Sequence, residues 1–257
     1  MNLAVVRALA GRSIRQTFRR PQFIAPILLI PTLFLAVNTG GAQSARSLAG
    51  FPDVQGFLDF ELAGAMMQSS MLAGLTGAIA LAIDIEIGFT DRLFAAPIAR
   101  TSIVLGRLGA TAAMGVLLAV WFLVIGFVFG ATVQAGVPGV LLILVLVPLA
   151  ALAFGSVGTA LALWAGRASV VQGIFPLVFV IVLMSSAFFP RGLLSEPASS
   201  IADYNPMSFI AEGVRDPIIS GISAGETAKG LLGIAIVAAI GTATSALALR
   251  RHLKAAT

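Results

Sequence analysis

Six long runs of apolar residues, separated by polar segments, constrain this chain more than any other feature. Each run is close to the roughly 20 residues that a helix needs to cross the hydrocarbon core of a bilayer. Of the 257 residues, 58% are hydrophobic and 11% are charged, whereas a soluble domain carries about 25% charged residues. The sequence therefore predicts an all-α integral membrane protein with six spans. These lie near residues 22–42, 63–83, 108–131, 139–163, 170–189 and 228–249.

The distribution of basic residues predicts the orientation of the spans. Six crossings place both termini on one side of the membrane, and 12 of the 16 Lys and Arg residues fall in the segments on that side. By the positive-inside rule, that side is cytoplasmic. Arg greatly outnumbers Lys and the chain is rich in Ala and Gly, which is typical of a GC-rich bacterial genome. We expect a multi-pass protein of the bacterial cytoplasmic membrane with both termini inside, contacting membrane lipids and no nucleic acid.

The segment before the first span, residues 1–20, has the pattern of an amphipathic interfacial helix. At 100° per residue its apolar and basic side chains fall on opposite arcs, so the guanidinium groups are expected to face lipid phosphates. Pro21 is expected to end this helix. A charged start that merely obeys the positive-inside rule is the alternative. The residues concerned are Ile14 and Phe18 on the apolar arc and Arg12, Arg15 and Arg19 on the basic arc.

The cytoplasmic segment after the second span has the pattern of a docking element. Thr90 is suited to cap a short helix, and Pro97 limits the length of that helix. The helix presents Leu93 and Phe94 within a charged rim, an arrangement that suits a groove in a soluble partner. A solvated connector is the alternative.

The segment 190–227 lies on the outer side and is long for a connection. Asn205 and Pro206 form a turn signal, and Phe209 begins a set of apolar residues at helical spacing. We therefore expect two short helices that dip into the outer leaflet.

The residues that ATP hydrolysis or other catalysis requires are missing from these patterns. A P-loop needs a Lys after its glycines, and Lys229 and Lys254, the only lysines, have no such setting. The predicted spans contain no His, so Ser156 in the small-residue run 155–158 is better explained by helix packing than as a nucleophile. We expect no enzymatic activity, no metal site and no cofactor in this chain.

Charge is also missing from the centres of the predicted spans. Lys229 stands at the very start of the last span. Ion-coupled carriers keep an ionisable group at mid-membrane, so the sequence favours a permease that is powered from outside.

Two ordered motifs connect the chain with a known family. The cytoplasmic motif consists of Glu86, Gly88, Asp91, Arg92, Leu93, Pro97, Arg100 and the run 105–107. The outer motif consists of the runs 188–190, 195–197, 204–207 and 212–215. In order and spacing they resemble the ABC-2 type permeases, especially the daunorubicin-resistance permease branch. Ala96 departs from the Thr that is frequent in this family, and Ile87 from its usual Arg or Gln.

The resemblance implies a single transmembrane domain over 1–257, with a coupling helix over 88–100 and two re-entrant helices within 190–227. It also implies a second permease subunit, identical or related, and two copies of a separate ATP-binding subunit that holds ATP and Mg²⁺. The implied ATPase-coupling residues are Glu86, Gly88, Asp91, Arg92, Leu93, Phe94, Pro97 and Arg100. The implied outer residues are Tyr204, Asn205, Pro206, Phe209 and Glu212.

Several alternatives for cargo and function remain open at this point. Export of hydrophobic or amphipathic molecules, drug-like or lipid, is favoured, with polysaccharide or glycolipid export as the runner-up. A membrane-embedded enzyme or a channel is the alternative of another class. Small or aromatic positions on the second and fifth spans, such as Gly74, Gly77 and Phe175, are candidates for contact with a second permease.

Overall fold

The computed structural model describes residues 3–19, 21–41, 44, 47–48, 51–52, 54–90, 92 and 100–255. These residues are helical almost throughout, with no β-strand among them. The long helices are α1 (Leu3–Phe18), α2 (Pro21–Gly41), α3 (Phe57–Glu86), α4 (Arg100–Val128), α5 (Gly136–Ala165) and α10 (Ala224–Ala255). The shorter helices are α6 (Ala168–Gly173), α7 (Phe175–Leu183), α8 (Ala198–Tyr204) and α9 (Pro206–Ile219), with a 3-10 turn at Arg191–Leu193.

Within the described part of the chain, five helices are long and apolar enough to cross a membrane: α2, α3, α4, α5 and α10. They correspond to five of the six predicted spans. Helix α1 occupies the segment in which an amphipathic helix is predicted, and it ends before Pro21, as expected. Helices α8 and α9 are the two short helices that the outer segment predicts.

The predicted fifth span, 170–189, is divided between α6, α7 and a run of turns. Pro176 lies in the first turn of α7, and its nitrogen has no hydrogen to continue the α6 ladder. Helix α7 ends at Leu183, and the chain turns from Met184 onwards. Neither α6 nor α7 alone is long enough to cross a bilayer.

Together, α6 and α7 nevertheless follow most of the length of α3. Val171 of α6 packs in one buried cluster with Leu81, near the end of α3. After α7, the backbone of Ala187 lies against Gly64, near the start of α3. The 17 residues from Gly64 to Leu81 measure about 25 Å along a helix, so α6 and α7 connect the two ends of the bundle.

Contacts between helix termini define these two ends. At the α1 end, Arg12 of α1 pairs with Asp84 of α3, and Ala248 of α10 joins the cluster that contains Leu81. At the α9 end, Asn38 of α2 hydrogen bonds to Glu61 of α3. Helix α1 and the final turns of α10 therefore lie at the same end of the bundle.

Small residues bring α3, α5 and α10 into close contact. A Cβ on Gly74 would lie 2.6 Å from the carbonyl carbon of Phe154, and a Cβ on Gly158 would lie 2.5 Å from the Gly74 oxygen. On the other side of α5, Gly241 of α10 contacts Ser156. The run 155–158 is thus a helix-packing surface, as the sequence predicts. The prediction that Gly74 contacts a second permease is wrong, because its own α5 covers it; for Gly77 that contact stays a prediction.

Helix α1 is held by α4. A Cβ on Gly106 of α4 would lie 2.5 Å from the Cβ of Leu9, and one on Gly109 would lie 2.9 Å from the Cβ of Ala10. The two glycines therefore fix the distance between α1 and the membrane-spanning part of the bundle.

The glycine contacts predict a position-specific effect of added methyl groups. Gly74→Ala should lower stability by about 1–3 kcal/mol, because the new Cβ overlaps the backbone of α5. Gly77→Ala is the matched control: Gly77 is exposed, and its nearest neighbour would be 3.8 Å away. The thermal midpoint of unfolding in detergent measures both. Equal midpoints for the two variants would contradict the packing described here.

Candidate functional site

The chain turns sharply after α3 at Gly88. Its φ of +67° lies in the left-handed region, which favours glycine. The Gly88 N–H donates to the oxygen of Ile85, and the Arg92 N–H donates back to Gly88. Phe89 and Thr90 are already helical. The prediction that Thr90 caps this helix is wrong: its buried hydroxyl makes no hydrogen bond with the described residues, because the turn itself starts the helix.

Glu86 joins the end of α3 to the start of α6. Its Oε1 accepts a hydrogen bond of 3.0 Å from the backbone N–H of Ala168, the first residue of α6. A carboxylate at a helix N-terminus is stabilised by the unpaired N–H groups there and by the helix dipole. The Glu86 carboxylate therefore links the turn after α3 to the first residue of α6.

The structure locates only some of the predicted coupling residues. Asp91, Leu93, Phe94 and Pro97 lie outside the described residues. Arg92 is exposed beyond the Gly88 turn. Arg100 is the first residue of α4.

Arg12 of α1 is directed towards this turn. Its guanidinium lies 3.8 Å from the centroid of the Phe89 ring and 3.9 Å from Oδ1 of Asp84. Arg12 thus contacts the bundle, in addition to any contact with lipid. The other residues predicted for the interfacial helix are Ile14, which is half-buried, and Arg15, Phe18 and Arg19, which are exposed.

A network of charged side chains ties together the predicted outer segment. Arg191 donates to both carboxylate oxygens of Glu212, at 2.6 and 3.0 Å, and to Asp203 at 2.8 Å. Ser186 donates to the same Glu212 at 2.6 Å. Burial alone would lower the pKa of Arg191, but its hydrogen bonds and ion pairs with Glu212 and Asp203 raise the pKa above its usual value. Arg191 therefore remains charged and keeps α8, α9 and the end of α7 together.

Asn205 closes two helix ends at once. Its Oδ1 accepts a hydrogen bond from the Met207 N–H, which caps α9, whose first residue is Pro206. Its Nδ2 donates to the oxygens of Ile181 and Met184 at the end of α7. The turn signal in the sequence therefore marks a junction between three segments.

Two other predicted outer residues differ in their surroundings. The ring of Phe209 lies 5.7 Å from the guanidinium of Arg191, while Tyr204 is 85% exposed and contributes little to the network.

Arg215 lies beneath this network and is almost fully buried. Its guanidinium donates to the oxygens of Phe60, Ser186 and Ala187 at 3.1, 3.0 and 2.6 Å. It also stacks on the Phe60 ring at 3.7 Å. Ser186 and Ala187 lie where the chain after α7 is no longer helical, so Arg215 supplies the donors that the lost helix ladder would have provided.

Asn38 and Glu61 are absent from the sequence-predicted site, and Arg215 enters it only as part of the run 212–215, although the structure joins Asn38 to Glu61 and buries Arg215. Glu61 is fully buried, and its Oε1 accepts a 2.6 Å hydrogen bond from Asn38. The run 212–215 is noted in the outer motif, but its spacing does not reveal that Arg215 faces inward. A carboxylate at position 61, directly before an apolar run, is the sequence signal that was available for Glu61.

Removal of the Arg215 guanidinium should strongly destabilise the chain. We expect Arg215→Gln to cost at least about 3 kcal/mol, because several buried carbonyls lose charge-assisted donors. Lys229→Gln is the control: its pair with Glu226 is largely exposed, so the loss should stay below about 1 kcal/mol. Chemical unfolding in detergent measures both; a loss below 1 kcal/mol for Arg215→Gln would contradict the assigned role.

The chain is similar in sequence to membrane transport proteins. The sequence profile of the ABC-2 type transporter family matches residues 4–219. A protein of Porphyra purpurea described as "Putative transport permease ycf38" is 26% identical over 212 residues. The match covers 82% of this chain and 72% of that protein. Since the profile covers most of the chain, the chain belongs to the ABC-2 type transporter family, a family of transmembrane transport subunits.

Proposed function

We propose that this chain is the transmembrane permease subunit of an ATP-driven exporter in a bacterial cytoplasmic membrane. Members of the ABC-2 family normally work with a separate ABC ATP-binding subunit. In the proposed complex, two permease subunits, identical or related, sit on two ATP-binding subunits that hold ATP and Mg²⁺. The hydrogen bond from Ala168 to Glu86 carries this proposal. Because this bond connects the end of α3 to α6, a partner that displaces the Gly88 turn would move both helices.

The proposed orientation places the α1 end of the bundle in the cytoplasm. This end carries Arg12, Glu86 and the last turns of α10, and 12 of the 16 basic residues belong to the segments assigned to this side. In this orientation α6 and α7 supply the remaining crossing, and α8 and α9 form the re-entrant pair in the outer leaflet.

The proposed coupling is mechanical. Helix α3 is a continuous helix of 30 residues, and its close contact with α5 at Gly74 leaves little freedom for it to bend away from the bundle. A short helix after Gly88 that is pushed by the ATP-binding subunit therefore displaces a rigid body, whereas a loose connector would absorb the movement.

We propose that the cargo is hydrophobic or amphipathic, either drug-like or lipid, and that it moves outward. The apolar spans support this class. Carbohydrate pathways use rows of aromatic side chains, and although the chain has 17 Phe, it has only two Trp and one Tyr. Trp121 donates to Thr32 of α2 at 3.1 Å, and Trp164 is 70% exposed. Among the residues that the structure describes, neither Trp stacks on another aromatic ring, so polysaccharide export is disfavoured.

The docking element provides the direct test of the ATPase partnership. Leu93→Asp combined with Phe94→Asp should weaken binding of the ATP-binding subunit at least about tenfold and abolish export, because charge replaces the apolar contact. Ile222→Asp, an exposed apolar position at the α9 end, should leave both unchanged. Co-purification and transport into vesicles provide the readouts. Normal export by the double variant would refute the proposed partnership.

The Glu86 hydrogen bond provides a test of coupling without loss of binding. Glu86→Ala should leave the ATP-binding subunit bound and reduce export per ATP hydrolysed by up to about fivefold, since an exposed carboxylate at a helix N-terminus is worth about 0.3–1 kcal/mol. Glu226→Ala removes a half-buried carboxylate at the α9 end and serves as the control. An unchanged ratio of transport to hydrolysis in Glu86→Ala would show that this hydrogen bond does not transmit the movement.

A further inference from the structure

A cleft of about 600 Å³ lies between α1 and the end of α3. Its walls include Arg12 and Arg15 of α1 with Arg19 directly after that helix, and Ile83 and Asp84 of α3 with Ile87 directly after that helix. The cleft exists because α1 packs on α4 through the two glycines described above, which leaves the basic arc of α1 facing the end of α3 across a gap.

The charges in the cleft are not balanced. Three guanidinium groups face a single carboxylate, that of Asp84, which lies 3.9 Å from Arg12. In the part of the chain that the structure describes, Arg15 and Arg19 form no ion pair. The cleft therefore has an excess of positive charge, and Arg15 and Arg19 are available to a ligand.

The wall opposite the arginines is partly apolar and continues the surface of a spanning helix. Ile83 is half-buried, and Ile87 is 62% exposed at the mouth of the cleft. Because α3 ends at Glu86, the cleft lies at the level where a bilayer places its headgroups. A ligand that fits has an anionic group for the arginines and an apolar part beside the isoleucines.

We propose that this cleft binds a phosphate group, supplied by the headgroup of an anionic phospholipid. The planar guanidinium fork matches phosphate oxygens, and basic residues near a membrane surface attract anionic lipids. Asp84 stays paired with Arg12 and limits the site to a ligand held mainly by Arg15 and Arg19. Bound phosphate links α1 to the end of α3, beside the Gly88 turn. The proposal rests on membrane insertion alone and is independent of the ATPase partnership.

The site is tested by native mass spectrometry of the purified chain with phosphatidylglycerol. The unmodified chain should retain one phosphatidylglycerol in preference to phosphatidylcholine. Arg15→Gln combined with Arg19→Gln should weaken retention roughly 25-fold, at about fivefold for each arginine. Arg15→Lys with Arg19→Lys keeps the charge and should retain most of the binding. A thermal midpoint equal to that of the unmodified chain shows that the Gln variant is folded.

A matched control separates a discrete site from diffuse attraction. Arg7 lies on the same helix and is exposed, but it does not line the cleft, so Arg7→Gln should change retention less than twofold. If Arg7→Gln weakens retention as much as loss of Arg15 or Arg19 does, or if the folded Gln variant binds normally, the proposal is overturned.

A second arm identifies the source of the phosphate. In the expected result, 10 mM inorganic phosphate fails to displace the lipid, because the isoleucine wall contributes to binding. Displacement by inorganic phosphate would support the phosphate site but assign it to a soluble ligand. Retention of neither phosphate nor phosphatidylglycerol would overturn the proposal.

Discussion

In the hydrocarbon core of a bilayer no water reaches a backbone carbonyl, so every break in a spanning helix needs its own donors. At the α9 end of this chain, side chains supply such donors. Where α7 stops, the backbone oxygens of Ser186 and Ala187 accept hydrogen bonds from Arg215, and those of Ile181 and Met184 accept from Asn205. Asn205 directly precedes α9, and Arg215 lies in the second half of that helix. The irregular chain after α7 and the outer helices therefore stabilise each other, and neither is expected to hold its conformation without the other.

The sequence predicts the spanning helices well wherever lipid exposure sets the composition, since long apolar runs are what a bilayer requires. It fails at the start of α3, which begins at Phe57 although the apolar run begins near residue 63. Asp59 and Glu61 interrupt the apolar pattern over this first turn and a half, so the sequence does not indicate that it belongs to the span. These carboxylates are tolerated because residues distant in sequence donate hydrogen bonds to them: the Thr132 N–H donates to Asp59, and Asn38 donates to Glu61. Such partners belong to tertiary structure, and neither periodicity nor spacing encodes them.

The candidate sites likewise contain local features that the sequence indicates and tertiary contacts that it does not. The turn at Asn205 and Pro206 is readable from sequence, because turn chemistry is a local property, and Gly88 and Glu212 are recognisable through the family motifs. The hydrogen bond between Ala168 and Glu86 joins residues 82 positions apart, and the arginine cleft arises from the way α1 packs on α4. Helical periodicity alone places Arg12 on an arc that faces outward, whereas its contact with the Phe89 ring depends on where the chain turns after α3.

Helix α3 connects the two sites. From Glu61 to Glu86 it extends about 38 Å, and at each end one of these carboxylates accepts a hydrogen bond from another segment. Close backbone contact with α5 at Gly74 and Gly158 restrains the middle of the helix. A displacement of its Glu86 end is then more easily met by rotation or sliding of α3 together with α5 than by bending of α3. Either movement changes the position of Phe60, whose carbonyl and ring both hold Arg215. The buried arginine is thus the point at which a push at one end of the bundle would reach the outer helices at the other.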